Sequence, residues 1–129
     1  LMSDGEMNEG TTWESLLFAS HHKLDNLNII IDYNKIQSMD FVNKVIGIEP
    51  LKSKFLSFGC NVKEINGHNL NAINKALVSS VKNKPNLIIA NTVKGKGVSF
   101  MENNNLWHYK SPNLDELRRS LIEIKKKYA

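Results

Sequence analysis

An α/β fold, a parallel sheet with helices on both faces, is predicted by three observations. Short β-branched runs alternate along the chain with stretches of helical period, the order that builds parallel strands joined by helical crossovers. Two of those runs, residues 27–31 and 87–90, are nearly all apolar, as strands covered on both faces are. Polar residues follow each run, Asp32-Tyr33-Asn34 after the first and Lys94-Gly95-Lys96-Gly97 after the second. In open α/β sheets the carboxyl ends of strands are where ligands bind.

Taken in order, only Leu1 and Met2 precede an acidic, glycine-punctuated turn at residues 3–10, whereas a strand takes about five residues. The chain is therefore expected to begin inside a strand, as one incomplete part (residues 1–129) of a larger domain. Residues 11–23 are expected to be a helix capped by Thr11 or Thr12, with Glu14 in its first turn and Trp13, Leu16, Leu17 and Ser20 on one stripe. Asp25-Asn26 break it. The strand at residues 27–31 follows and ends at Asp32-Tyr33-Asn34, and residues 36–47, without a clear period, are expected to be a loop. Pro50 is placed at the first position of a helix reaching about Phe58, with Gly59 as its C-cap.

Residues 61–65 read as a strand and residues 66–69 as a turn. Asn69 is expected to cap a helix over residues 70–82, burying Ile73, Ala76, Leu77 and Val81, before Lys84-Pro85 closes it. The last strand lies within residues 86–92, and the flexible basic turn at residues 94–97 follows. An Asn-rich loop over residues 100–112 carries Trp107-His108, and Asn113 or Asp115 starts the final helix.

Composition excludes several classes. The 129 residues suffice for a core, and 41% apolar with 23% charged content is ordinary for a soluble protein. Apolar runs reach about five residues, short of the ~20 that span a bilayer. No basic segment followed by an apolar one opens the chain, and a single cysteine, Cys60, allows no internal disulfide. A cytoplasmic, membrane-free setting is expected, with Cys60 a small strand residue rather than a nucleophile. The net charge of +4 comes largely from Arg118, Arg119 and Lys125-Lys126-Lys127, interleaved with Leu117, Leu121, Ile122 and Ile124. That pattern is the solvated face of an amphipathic helix rather than a nucleic-acid patch, for no interleaved aromatics accompany it.

The opening turn can carry chemistry. Magnesium takes about six oxygens in octahedral geometry and few of them from protein. Asp4 offers a carboxylate at the end of the first strand, and Asn34 an amide oxygen at the end of the next. If those strands are neighbours, both side chains enter one crevice, and the Ile36 carbonyl can join them. The N–H groups of Gly5 and Glu6 can face a diphosphate, and Gly5 has no side chain to block it.

Ser3-Asp4-Gly5, with Asn34 thirty positions after Asp4, resembles the thiamine-diphosphate signature, in which Gly-Asp-Gly is followed by Asn after some thirty residues. Trp13-Glu14, Lys23-Leu24-Asp25-Asn26-Leu27, Asp32-Tyr33-Asn34, Gly67-His68, Lys94-Gly95-Lys96-Gly97 and Trp107-His108 extend the likeness to the transketolase family, over residues 1–112.

That resemblance implies a thiamine-diphosphate-binding fold and transfer of a two-carbon ketol unit from a ketose phosphate to an aldose. It implies Mg²⁺ or Ca²⁺ held by Asp4, Asn34 and the carbonyl of Ile36. It implies cofactor contacts from Gly5, Glu6, Lys94 and His108, with His108 available for proton transfer. Glu9 matches an acid at a subunit interface beside the glutamate that activates the cofactor. That glutamate belongs to a pyrimidine-binding domain this chain does not contain, so a partner chain or segment, in a homo-oligomer or heteromer, is implied, and the 129 residues alone are expected to be inactive. Two departures stand out: Ser3 replaces the first glycine of the signature, and Tyr109 stands where glycine commonly follows the histidine.

Deoxyxylulose phosphate synthase, a dehydrogenase E1 component and a non-catalytic protein of the same fold remain alternatives. His21 and His22 read as structural or exposed, and His68 as a turn residue.

Overall fold

A computed structural model describes residues 1–128. Four strands, β1 (Met2–Ser3), β2 (Asn28–Tyr33), β3 (Asn61–Asn66) and β4 (Asn86–Asn91), form one sheet in the order β1-β2-β4-β3. Every pairing is parallel. Ser3 pairs with Asp32 and Tyr33 with Asn91, so the carboxyl ends of β1, β2 and β4 lie side by side. β1 and β2 are neighbours, as the shared crevice requires.

Helices α1 (Gly10–His21) and α3 (Leu51–Ser57) cover one face. There Leu16, Leu51 and Phe55 join Ile31, Tyr33, Leu87 and Ile89 in the core. Trp13 stacks on Phe55 with ring centroids 5.4 Å apart, and its indole N–H donates to the Met7 carbonyl at 3.0 Å. The other face carries α4 (Leu70–Val78). Ile30, Ile65, Ile73, Ile88 and Ala90 line a cavity of about 290 Å³ there. β4 is buried on both sides, whereas Ile30 and Asp32 of β2 are only half-buried. β2 also runs two residues further than its apolar run suggested.

Several local expectations are corrected. Neither Thr11 nor Thr12 caps α1; Glu9 is its N-cap, and the Thr12 hydroxyl donates instead to the Glu6 carbonyl at 2.8 Å. Leu17 faces outward, and the buried stripe is Thr12, Leu16 and Ala19. Residues 36–47 hold a short helix, α2 (Val42–Val45), behind an antiparallel bridge between Ile36 and Phe41. Pro50 is the N-cap of α3, not its first residue, and the Glu49 carboxylate accepts the Leu51 N–H at 2.8 Å. Gly59 lies one position past the C-cap Phe58, at φ +83°. α4 stops at Val78, and Val81 is exposed, bridged to Lys84.

The final helix, α5 (Leu114–Tyr128), starts from Asn113. Asn113 Oδ1 accepts the Glu116 N–H while Glu116 accepts that of Asn113, a reciprocal cap. Its apolar residues Leu117, Leu121, Ile122 and Ile124 are exposed along with its charges. Glu123, accepting from Ser99, and Arg119, over the Phe100 ring, attach it to the preceding loop. Among the described residues no helix is long and apolar enough to cross a membrane.

Candidate functional site at the carboxyl ends of the strands

Asp4 follows β1 and is 1% exposed. Its Oδ2 accepts the Lys35 N–H at 2.8 Å, so the end of β1 is bonded to the second residue past β2. Burial pushes the Asp4 carboxyl above its usual range; the Lys35 and Gly5 N–H groups and the charge of Lys94 oppose that rise, while Asp32 adds to it. A carboxylate so placed favours a nearby positive charge.

Asn34 is half-buried, and its Oδ1 accepts the Ile36 N–H at 3.0 Å. Lys35 between them sits at φ +67°. This tight turn holds the Asn34 amide beside the buried Ile36 backbone. Among the described residues no donor reaches the Ile36 carbonyl.

The 3₁₀ turn Gly5–Asn8 follows Asp4. The Glu6 N–H points to Ser3 Oγ at 3.4 Å, and the Glu6 carboxylate folds back to accept the Ser3 N–H at 2.7 Å and its hydroxyl at 3.1 Å. Glu6 is thus committed to Ser3. Ser3 lies in β1 and is not among the residues of positive φ, so the exchange of glycine for serine imposes no backbone strain. The Ser-x-x-Glu spacing that signals such a reciprocal pair is visible in the sequence.

On the β4 side, Thr92 donates its hydroxyl to Asp32, and His68 Nε2 accepts the Val93 N–H at 2.8 Å. His68 therefore braces the strand end that delivers Lys94, a position its turn context alone did not reveal. The basic turn is stitched rather than loose. Lys96 N–H donates to Val93, Val98 N–H to Gly95 and Gly97 N–H to Glu102, which also pairs with Lys96 at 3.5 Å.

Asp4, with Gly5 next to it, is bonded into the Asn34–Ile36 turn and feels the charge of Lys94; among the described residues no hydrogen bond or ring contact joins Glu9 or His108 to them. Glu9 is exposed on the edge of a separate cavity of about 340 Å³ between α1 and the sheet, lined by Glu6, Thr12, Leu16, Ile31 and Phe55. His108 ends the 3₁₀ turn Asn105–His108, is exposed, and has its ring against Tyr109, with centroids 4.8 Å apart. His21 and His22 are exposed and contact each other. Three polar residues escaped the sequence reading: Gln37, which is 7% exposed, and Asn8 and Asn105, which bond its loop. Their partners lie 29 and 66 residues away, and no short motif encodes such pairs.

Among the described residues no three His, Cys, Asp or Glu side chains cluster. One carboxylate, one amide and one carbonyl are instead on offer. Such an all-oxygen, singly charged set fits a hard divalent cation whose remaining ligands come from water and a phosphate-bearing molecule.

A parallel sheet with a buried acid and an Asn turn at adjacent strand ends defines an α/β domain of the kind that binds ligands at its carboxyl edge. The chain belongs to the transketolase family: residues 1–127 match the family described as transketolase, thiamine diphosphate binding domain. It is 43% identical over 126 residues to an apulose-4-phosphate transketolase subunit of Actinobacillus succinogenes, covering 97% of this chain and 46% of that protein. It is 35% identical over 131 residues to the 6-deoxy-6-sulfo-D-fructose transketolase subunit SqwG of Clostridium sp. strain MSTE9, covering 100% and 48%. A crystal structure of transketolase from Campylobacter jejuni superposes with a TM-score of 0.86 at 32% identity, over 96% of this chain and 20% of that one. The chain spans about half the length of the two transketolase subunits named here.

Proposed function

We propose that this chain is the diphosphate-binding part of a thiamine-diphosphate-dependent transferase that moves a two-carbon ketol unit from a ketose phosphate to an aldose. The observation that carries the reading is the Asp4–Lys35 bond, which sets a buried carboxylate beside the Asn34 turn and the Ile36 carbonyl. In this reading Asp4, Asn34 and Ile36 hold Mg²⁺, or Ca²⁺, and the cation holds the diphosphate. Gly5 lets the phosphates approach the backbone, and Lys94 balances their charge. Thiamine diphosphate, when bound, supplies the nucleophilic carbon and electron sink for cleavage beside the ketose carbonyl. His108 is assigned to the substrate side, where an imidazole can move a proton at neutral pH. Glu9 is assigned to the contact with a partner. The naming of relatives as subunits supports a second chain or segment bearing the pyrimidine-binding domain. A cytoplasmic setting suits the buried free thiol of Cys60, whose pKa burial pushes up to about 11.

Reconstitution tests the reading. The 129-residue chain alone is expected to show no ketol transfer from a ketose phosphate, and the assembly with its pyrimidine-binding partner to show turnover. In that assembly His108→Ala should lower kcat/KM by about 10²-fold or more. Turnover by the isolated chain, or an assembly without turnover on any ketose phosphate, contradicts it.

A further inference from the structure

The loop that follows Asn34 is held from two sides. The Ile36–Phe41 bridge closes it, with the Gln37 N–H donating to the Asp40 carbonyl at 2.9 Å. From one side Asn8 Nδ2 donates to Gln37 Oε1 at 3.0 Å. From the other, Asn105 Nδ2 donates to the Met39 carbonyl at 3.1 Å. Asn105 opens the 3₁₀ turn that ends in His108, so this bond joins the loop bearing Ile36 to the turn bearing the histidine.

Both amides are half-used. Gln37 Nε2, a donor, and Asn105 Oδ1, an acceptor, are the buried side-chain atoms without a partner among the described residues. A buried amide atom left unpaired is costly and marks a bond the fold has still to make.

We propose that Asn105 is a positioning residue that fixes the His108 turn against the loop carrying Ile36, so that filling of the diphosphate site is transmitted to His108. This rests on the functional reading above. It makes Asn105 a determinant of substrate engagement rather than of cofactor affinity. Trp107, between Asn105 and His108, has its indole N–H bonded to the Phe100 carbonyl at 3.0 Å and is a built-in reporter of the turn.

The test uses the assembled protein labelled with 5-fluorotryptophan, the Trp107 resonance being assigned by its loss in Trp107→Phe. Adding thiamine diphosphate and Mg²⁺ should shift that resonance. Asn105→Ala, and Asn105→Asp, which keeps the volume but cannot donate to Met39, should leave cofactor affinity within about threefold, abolish the shift, and raise KM for the ketose phosphate about tenfold. If the alanine variant does not fold, the aspartate variant decides. An unchanged Trp107 shift with unchanged KM overturns the inference. A wild-type assembly that takes up no thiamine diphosphate overturns the functional reading instead.

Discussion

Asp4 shows what a single residue can reveal. Its carboxylate is out of water, and one oxygen is bonded to the Lys35 N–H. Burial of an acid is unfavourable unless hydrogen bonds or a positive charge compensate. Residue type and spacing made Asp4, Gly5, Asn34, Ile36 and Lys94 legible in the sequence, because strand ends bring them to one edge. Gln37 and Asn105 were not legible, because their roles depend on how loops fold over that edge. Gly95 belongs at this scale too. It sits at φ +74°, and a Cβ there would lie 2.6 Å from the Met101 carbonyl oxygen. Gly95→Ala is expected to cost about 2–3 kcal/mol through strain and backbone displacement, read as a lowered thermal midpoint; an unchanged midpoint would refute that account of the turn.

At the scale of elements, periodicity located strands better than helix ends. The near-continuous apolar run of β4 is buried on both faces as expected, because two neighbouring strands and two helical layers enclose it. Helix boundaries shifted where backbone groups found partners the pattern does not show. Glu9 took the cap of α1 because Thr12 was drawn to the Glu6 carbonyl, and Glu49 served α3 from outside it. Asn86 is the strongest case. It is 1% exposed; its Nδ2 donates to Asn28 Oδ1 at 2.6 Å and to the Ala76 carbonyl at 3.0 Å, and its Oδ1 accepts from Lys63 at 2.6 Å and Asn61 at 3.2 Å. One amide thus pins β2, β3, β4 and α4 together at the amino ends of the strands. Asn86→Ala should cost about 2–3 kcal/mol in urea denaturation, since it strands several buried partners at once. A loss no larger than that of a surface Asn would show the network to be dispensable.

For the whole molecule, sheet order decides where the candidate site lies. The order β1-β2-β4-β3 places the ends of β1, β2 and β4 in a row, with Asp4, Asn34 and Lys94 along it. The alternation of strands and helices announced a parallel sheet, and the family match bears out that fold. The exposed apolar residues of α5 were less legible, since amphipathic period alone does not say what covers a face.

The proposed function has Asp4, Asn34 and Ile36 hold a diphosphate through a divalent cation. Calorimetric titration of thiamine diphosphate into the assembled protein, with and without Mg²⁺, addresses it most directly. Binding should require the cation and disappear in both Asp4→Ala and Asn34→Ala while the thermal midpoint shows each variant folded. Unchanged affinity in both variants, or equal binding without any divalent cation, would contradict it.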